Sequence, residues 1–464
     1  MTSHMHVKRS RITQDWARYL EEFSFDALPH SVVEQTKNVV LDTLGAMLVA
    51  SSPKYPIARL LVDFAQTVGG RPESVIVGHM LKTSCVNAAL VNGTFGYYCD
   101  IEPHHADAIL HGPAVVVPAA LVTGYREAID GKTFIASVVL GIDVGARFSF
   151  GLTPTGQYQR GFHPSAVCGA FGAAASAGKV LGLTEEEFAD SIGLAALQAS
   201  GLLAWESDPT EMSRPLNDGI AARNGVTAAL LAKLGYAGPE ILEGKYDIFN
   251  AFSGQRDIDR MTRGLGREYE VVNLAYKRYS CCAFLHPGLD AMLRILEENN
   301  IKGQEISEIH LRFPTSGAPL IDNAGLKSHN AQFVLATAAF RHTVTIDDIL
   351  KKGYDNASIE RLARNVIVLP DAELARDFPQ KYASIVELTT RDGKHYQERV
   401  DYAYGTPQNP MPKEEIYAKF RLLATTVASK CRAEQIVRTV ERLEKLSDIR
   451  SLANLLRLRR KHAS

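Results

Sequence analysis

The sequence predicts a mainly α protein with an α+β part: a large all-helical domain formed by residues 1–270 and 401–464, and a smaller inserted α/β unit over residues 271–400. Three observations carry that reading. Apolar residues recur at helical spacing through the first half. Strand-like runs and a hairpin signal appear only after the composition shifts near residue 270. A Gly/Pro-rich connector, GTPQNPMP at residues 405–412, then hands the chain back to helix. At 464 residues the chain also exceeds one hydrophobic core, so two domains or three are expected.

Residues 31–50 (SVVEQTKNVVLDTLGAMLVA) place apolar side chains at helical spacing from Val32 to Met47. Residues 82–98, 131–150, 164–183 and 184–204 continue as helices. The last of these opens on a capping box, in which Thr184 caps and Glu187, three residues on, reaches back. Residues 169–178 are nearly all Gly, Ala and Ser, so neighbouring helices can come close and this one belongs at the centre of a bundle. In the second unit, residues 306–313 (ISEIHLRF) and 365–369 (NVIVL) read as strands. Residues 384–390 and 395–400 flank Asp392-Gly393, a strong hairpin signal. Helical stretches at 332–340 and 358–364 lie among them. Pro412 is expected in the first turn of the next helix, KEEIYAKFRLLATTV. The basic end, RLRRKHAS, reads as a solvated helix terminus.

Composition narrows the function. Hydrophobic residues are 46% and charged residues 22%, and the formal net charge is −1. Such a balance gives no reason to expect nucleic acid or an anionic membrane as partner. Six cysteines in this length form neither a disulfide scaffold nor a zinc-ribbon spacing, and free thiols fit a reducing compartment. The start, MTSHMHVKRSRITQDW, has no apolar core and no cleavage signal, and its SHM triplet matches a cloning scar. No uninterrupted apolar run reaches the ~18 residues of a membrane span. These readings place the protein in the cytoplasm as an expectation.

Four segments carry possible chemistry. DIEPHHADAILHGP, from Asp100 to Pro113, packs three histidines and three carboxylates into a Pro/Gly-bounded stretch. It reads as a solvated loop, as a metal site through His104, Asp107 and His111 on one helical face, or as an acid–base loop. Pro103, Gly112 and Pro113 leave little room for the helix that the metal reading needs. RGFHPS sets His163 before a proline at a helix start, ahead of the small-residue helix. EMSRPLNDGIAARNG offers the Arg214 guanidinium to a carboxylate, beside Asn217. YKRYSCCAFLHPGLD joins the cations Lys277 and Arg278 to Cys281, Cys282 and His286 without an evident orienting group for a nucleophile. The GAAASAGKV stretch is no phosphate loop, because Val180 stands where Ser or Thr is required.

Taken together and in this order, these segments resemble the MmgE/PrpD family, which includes 2-methylcitrate dehydratases, cis-aconitate decarboxylases and iminodisuccinate epimerases. VLDTLGAMLV, VNGTFGYYCDIEPHH, GFHPSAVCGAFGAAASAGKVLGL, RPLNDGIAARNGVTAALLAKLG, YKRYSCCAFLHPGLD and NPMPKEEIYAKF carry the resemblance over nearly the whole chain. It implies a helical domain built from both chain ends, an α/β lid domain, a site between them, a homodimer and no required organic cofactor. No metal is assigned. Residue by residue, Asp100, His111, His163 and Lys277 fall on family motif positions, and Cys282 falls where decarboxylases have histidine. The chain departs from the family pattern at Glu102 and Pro103, at Arg214 for lysine, at Asn217 for histidine and at Thr337 for tyrosine. The implied activity is a lyase, a hydro-lyase first, on a small di- or tricarboxylate. His111 and His163 would share the acid and base roles with Asp100 orienting one of them, and Lys277, Arg278, Arg214, His104 and Cys282 would bind substrate. Epimerisation, decarboxylation and a carboxylate-binding protein without catalysis are the alternatives.

Overall fold

The computed structural model describes residues 7–459 apart from 352 and 355. The SHM triplet and the last residues of the basic tail lie outside them. The first half folds into packed helices, among them His30–Ala50, Cys85–Tyr98, Gly112–Glu127, Gly131–Leu152, Pro164–Leu181 and Ser213–Lys233. The small residues of Pro164–Leu181 decide how these meet. A Cβ on Gly225 would lie 2.4 Å from Ala173 Cβ and 2.6 Å from Ala170 O, and one on Gly141 would lie 2.8 Å from Gly172 O. Two helices therefore press backbone to backbone against the central one, as its composition predicts. Gly112–Glu127 begins inside the stretch judged too short for helix, and it runs through Pro118. The carbonyl of Ala114, which proline leaves without its usual donor, faces the gap that Gly96 keeps open in the adjacent helix.

The expected helix over 184–204 is shorter. Thr184 and Glu187 form the predicted capping box, but the helix ends at Ala196. Gly201 adopts φ +130°, and its carbonyl accepts from His163 N at 2.9 Å, so the chain turns away to brace the start of the central helix. A 3-10 turn, Leu203–Ser207, follows.

The second part carries a four-stranded sheet in the order Val366–Asp371, Ile306–Pro314, Ser384–Thr390, His395–Val400. The first pair is parallel and the others antiparallel. Asp392-Gly393 makes the predicted hairpin turn, with Gly393 at φ +83°. The Lys413–Ala424 helix returns to the first part and packs on His30–Ala50, where Gly45 admits Phe420. Pro412 is its N-cap with extended ψ, one position before the expected first turn. Buried apolar residues form two main clusters, one running from Trp16 to Tyr276 and again from Met411 to Leu456, the other from Tyr279 to Val400. Ile109 of the acidic loop belongs to the second, so that loop lies in the seam. Gly131–Leu152 is long and apolar enough to cross a membrane by length and composition, which the run-length reading missed because Lys132, Asp143 and Arg147 interrupt it; from Phe134 to Leu152 it is buried in the protein.

Candidate active site

The acidic loop is held from three sides. His104–His105 pairs antiparallel with Leu274–Ala275, which brings Lys277 alongside. Lys419 of the returning helix donates to Ile101 O at 2.6 Å and to Asp42 at 2.8 Å. The His111 amide donates to Ser165 Oγ at 2.8 Å, in the first turn of the central helix. Asp100, at φ +51°, is one of the few non-glycine residues in the left-handed region, and these ties hold it there.

The structure gathers most of the expected residues. His104, His111, His163 and Cys282 line one narrow cavity of ≈ 30 Å³ in the seam. Tyr97, Tyr158, Trp205, His329 and Tyr382 complete much of its wall. His163 forms the N-cap position of the central helix, before Pro164. Its ring lies parallel to Tyr97 at 6.0 Å and edge-on to Trp205 at 5.4 Å.

Asp100 and Arg278 sit differently from what the sequence led us to expect. Asp100 orients no histidine: it pairs with Lys277 and lies 3.7 Å from Arg214. Glu102 faces His111 instead, with Oε1 2.6 Å from His111 Nδ1 and 3.2 Å from Lys277 Nζ. Arg278 lies outside the site; it is exposed, and its guanidinium sits over the Tyr404 ring at 5.6 Å. Lys277 and Arg214 are fully buried but stand behind the cavity wall, among their carboxylates. Arg214 lies 4.2 Å from the Tyr97 centroid, and His111 lies 4.3 Å from the same ring. The helical face proposed for a metal does not form, because Asp107 turns to Arg260. Asp100, Glu102 and His111 do come within 4.8 Å of one another, but Lys277 already contacts both carboxylates and supplies the positive charge there.

Burial sets the protonation states. It pushes His104, His111 and His163 well below the usual imidazole range, and the nearby Lys277 or Arg214 adds to the effect. Burial opposes ionisation of Asp100, but Lys277 and Arg214 overcome it and hold that carboxyl well below its usual range. Glu102 is raised by burial and by Asp100, against the pull of Lys277. A Glu102 carboxylate held ionised by Lys277 would accept Nδ1–H from His111 and leave the Nε2 lone pair of the imidazole free. The Cys282 thiol is pushed up to about 12, chiefly by burial, so it is a neutral wall group and no nucleophile.

The sequence reading did not single out Tyr97, although it lies within VNGTFGYYCDIEPHH, nor Trp205, His329 and Tyr382, which lie outside the quoted motifs; the fold brings all four here.

The MmgE/PrpD N-terminal domain model matches residues 14–261, and the MmgE/PrpD C-terminal domain model matches residues 279–445. The chain belongs to the MmgE/PrpD family. Within the family it is similar to a cis-aconitate decarboxylase of Aspergillus terreus, 26% identical over 97% of this chain and 96% of the relative. A human cis-aconitate decarboxylase is 24% identical over 96% of this chain and 94% of its own length. A mitochondrial 2-methylcitrate dehydratase of Yarrowia lipolytica is 24% identical over 88% of this chain and 82% of its own. Residues 262–278, between the two matched regions, carry Leu274–Ala275 and Lys277, the pieces that pin the acidic loop.

Proposed function

We propose that this family member is a lyase acting on a small tricarboxylate, and that it removes a carbon-bound proton and then expels water. The observation that carries the reading is the Glu102–His111 contact of 2.6 Å, which aims a neutral imidazole lone pair into a cavity walled by further imidazoles. His111 takes the proton next to a carboxylate. His163 has no carboxylate partner and its Nδ1 has no hydrogen-bond partner among the described residues, so it is free to change tautomer and serve as the acid for the leaving hydroxyl. Lys277 and Arg214, one layer back, favour the enolate-like charge that develops in the dry site. Substrate carboxylates enter a site whose histidines are uncharged, and their negative charge raises the proton affinity of the imidazole that must act as acid. Free space of ≈ 30 Å³ suits a couple of waters, so the ligand enters as the seam opens.

Decarboxylation is the second reading. It is favoured by the aromatic and aliphatic wall of Tyr97, Ile109, Leu110, Trp205 and Phe284, since a carboxylate loses its charge as carbon dioxide leaves. A neutral cysteine at 282 in place of the histidine of decarboxylases weighs against it. Proton NMR in D₂O with cis-aconitate, citrate and 2-methylcitrate separates the outcomes. Deuterium uptake with alkene formation or hydration supports the hydro-lyase, while carbon dioxide release makes it a decarboxylase. Neither change with any of these acids, from folded protein, removes the tricarboxylate reading.

A further inference from the structure

We propose that His329, backed by Ser328 and Glu211, is a third acid–base residue of this cavity, and that it takes up a proton when a polycarboxylate enters. The proposal rests on the polycarboxylate reading above and adds a residue and a relay to it. His329 comes from the Lys327–His329 turn of the sheet-bearing part, and Glu211 comes from the helical part across the seam. One Glu211 oxygen accepts the Ser328 amide at 2.9 Å, and the other accepts the Ser328 hydroxyl at 2.8 Å. Burial raises the Glu211 pKa and Arg214, 3.7 Å away, opposes it; where Glu211 is ionised it takes the Ser328 proton, and Ser328 Oγ then accepts from His329 Nδ1, 2.9 Å away. The tautomer follows: Nδ1 carries the hydrogen, and Nε2 presents its lone pair. The residue lines the cavity with His104, His111 and His163.

Two further features mark the relay as built. Glu211 sits at φ +58°, a conformation that costs a non-glycine residue free energy and persists only where the surroundings impose it. The backbone of Ser328 is also pinned, its carbonyl accepting from Cys282 N at 2.9 Å. Asp100, Arg214, Lys277, His111 and His163 face His329 from the helical part and the loops, and the Trp205 ring lies 5.3 Å from it. Burial, with Arg214 and Lys277, keeps the empty site's imidazole neutral. A carboxylate placed at Nε2 reverses that balance. Nε2 then takes a proton from water, Nδ1–H stays on Ser328 and the serine proton stays on Glu211, so a single proton leaves the solvent and nothing is oxidised. Because the relay spans the seam, it is complete only when the two parts are docked.

The test is calorimetric titration of citrate into the full-length protein in two buffers of different ionisation heat, with wild type, His329→Gln and Ser328→Ala. Wild type is expected to take up about one proton more per chain than His329→Gln. Ser328→Ala keeps His329 but removes the acceptor for Nδ1–H, so its uptake midpoint is expected at lower pH than in wild type. Equal uptake by wild type and a folded, citrate-binding His329→Gln overturns the proposal. Should His329→Gln unfold, an unchanged midpoint in Ser328→Ala overturns it instead. If wild type binds none of citrate, cis-aconitate and 2-methylcitrate, the tricarboxylate reading fails and takes this proposal with it.

Discussion

Glu102 and Arg278 show how much a single side chain's placement decides. Replacing Glu102 by Gln keeps the shape but removes the charge that fixes the His111 tautomer. We expect kcat to fall by roughly 10²-fold or more with little change in melting temperature. Steady-state kinetics with the best tricarboxylate checks this, and a loss below about threefold would take Glu102 out of the base's support. Arg278→Ala, by contrast, is expected to leave kcat/KM within about twofold, because that guanidinium lies outside the cavity. The pH profile carries a sign. A base must be deprotonated to act, and the His111 pKa is lowered below 6.5 by burial and Lys277. The free protein therefore holds the active form to lower pH, and the acid limb of kcat/KM is expected below pH 6.5. An acid limb above that value would assign the base elsewhere. His104 and His111 were legible in a loop dense with titratable groups, and His163 in its motif before a proline, whereas His329 was not. The carboxylate partner of His111 was not legible: Asp100 and Glu102 are two residues apart, and the fold turns Glu102 to His111 and Asp100 to Lys277.

Helix packing imposes the next layer of constraint. Gly225→Ala would set a Cβ 2.4 Å from Ala173 Cβ and 2.6 Å from the Ala170 carbonyl, on rigid backbone that cannot yield cheaply. A loss of about 1–3 kcal/mol is expected, read as a lower denaturant midpoint. An unchanged midpoint would mean that the central helices can part freely. Lys419 tests the returning helix. Its side chain is only 12% exposed, and it bonds both Asp42 and the Ile101 carbonyl. Lys419→Met leaves Asp42 buried without a cation, and a loss of about 3–5 kcal/mol is expected from chemical denaturation. Elements were the most legible level of this chain. Periodicity and turn chemistry located His30–Ala50, Cys85–Tyr98, Gly131–Leu152 and Pro164–Leu181, four strands and the capping box within a few residues, but did not pick out Ser213–Lys233. They failed at 197–204, where a backbone contact with His163 overrides a helical composition, and at Gly112–Glu127, where a proline is tolerated because a neighbouring glycine leaves room.

The cavity between the two apolar clusters makes the seam the place where we propose that substrate binds. Its wall combines His111, His163 and Trp205 on one side with Cys282, His329 and Tyr382 on the other. Hydrogen exchange should show this directly: cis-aconitate is expected to slow exchange around residues 203–212 and 326–330, while the helices buried in the first cluster stay unchanged. Equal protection everywhere, or none, would place the ligand elsewhere. The order of helices, the strand-bearing segment near residue 270 and the family were set by local pattern, because period, caps and motifs are properties of neighbouring residues. The pairing of Glu102 with His111, the withdrawal of Lys277 and Arg214 behind the wall, the exclusion of Arg278 and the arrival of His329 were decided only in three dimensions. Each depends on which residues, hundreds of positions apart, are desolvated together, and burial and charge act through distance rather than through sequence.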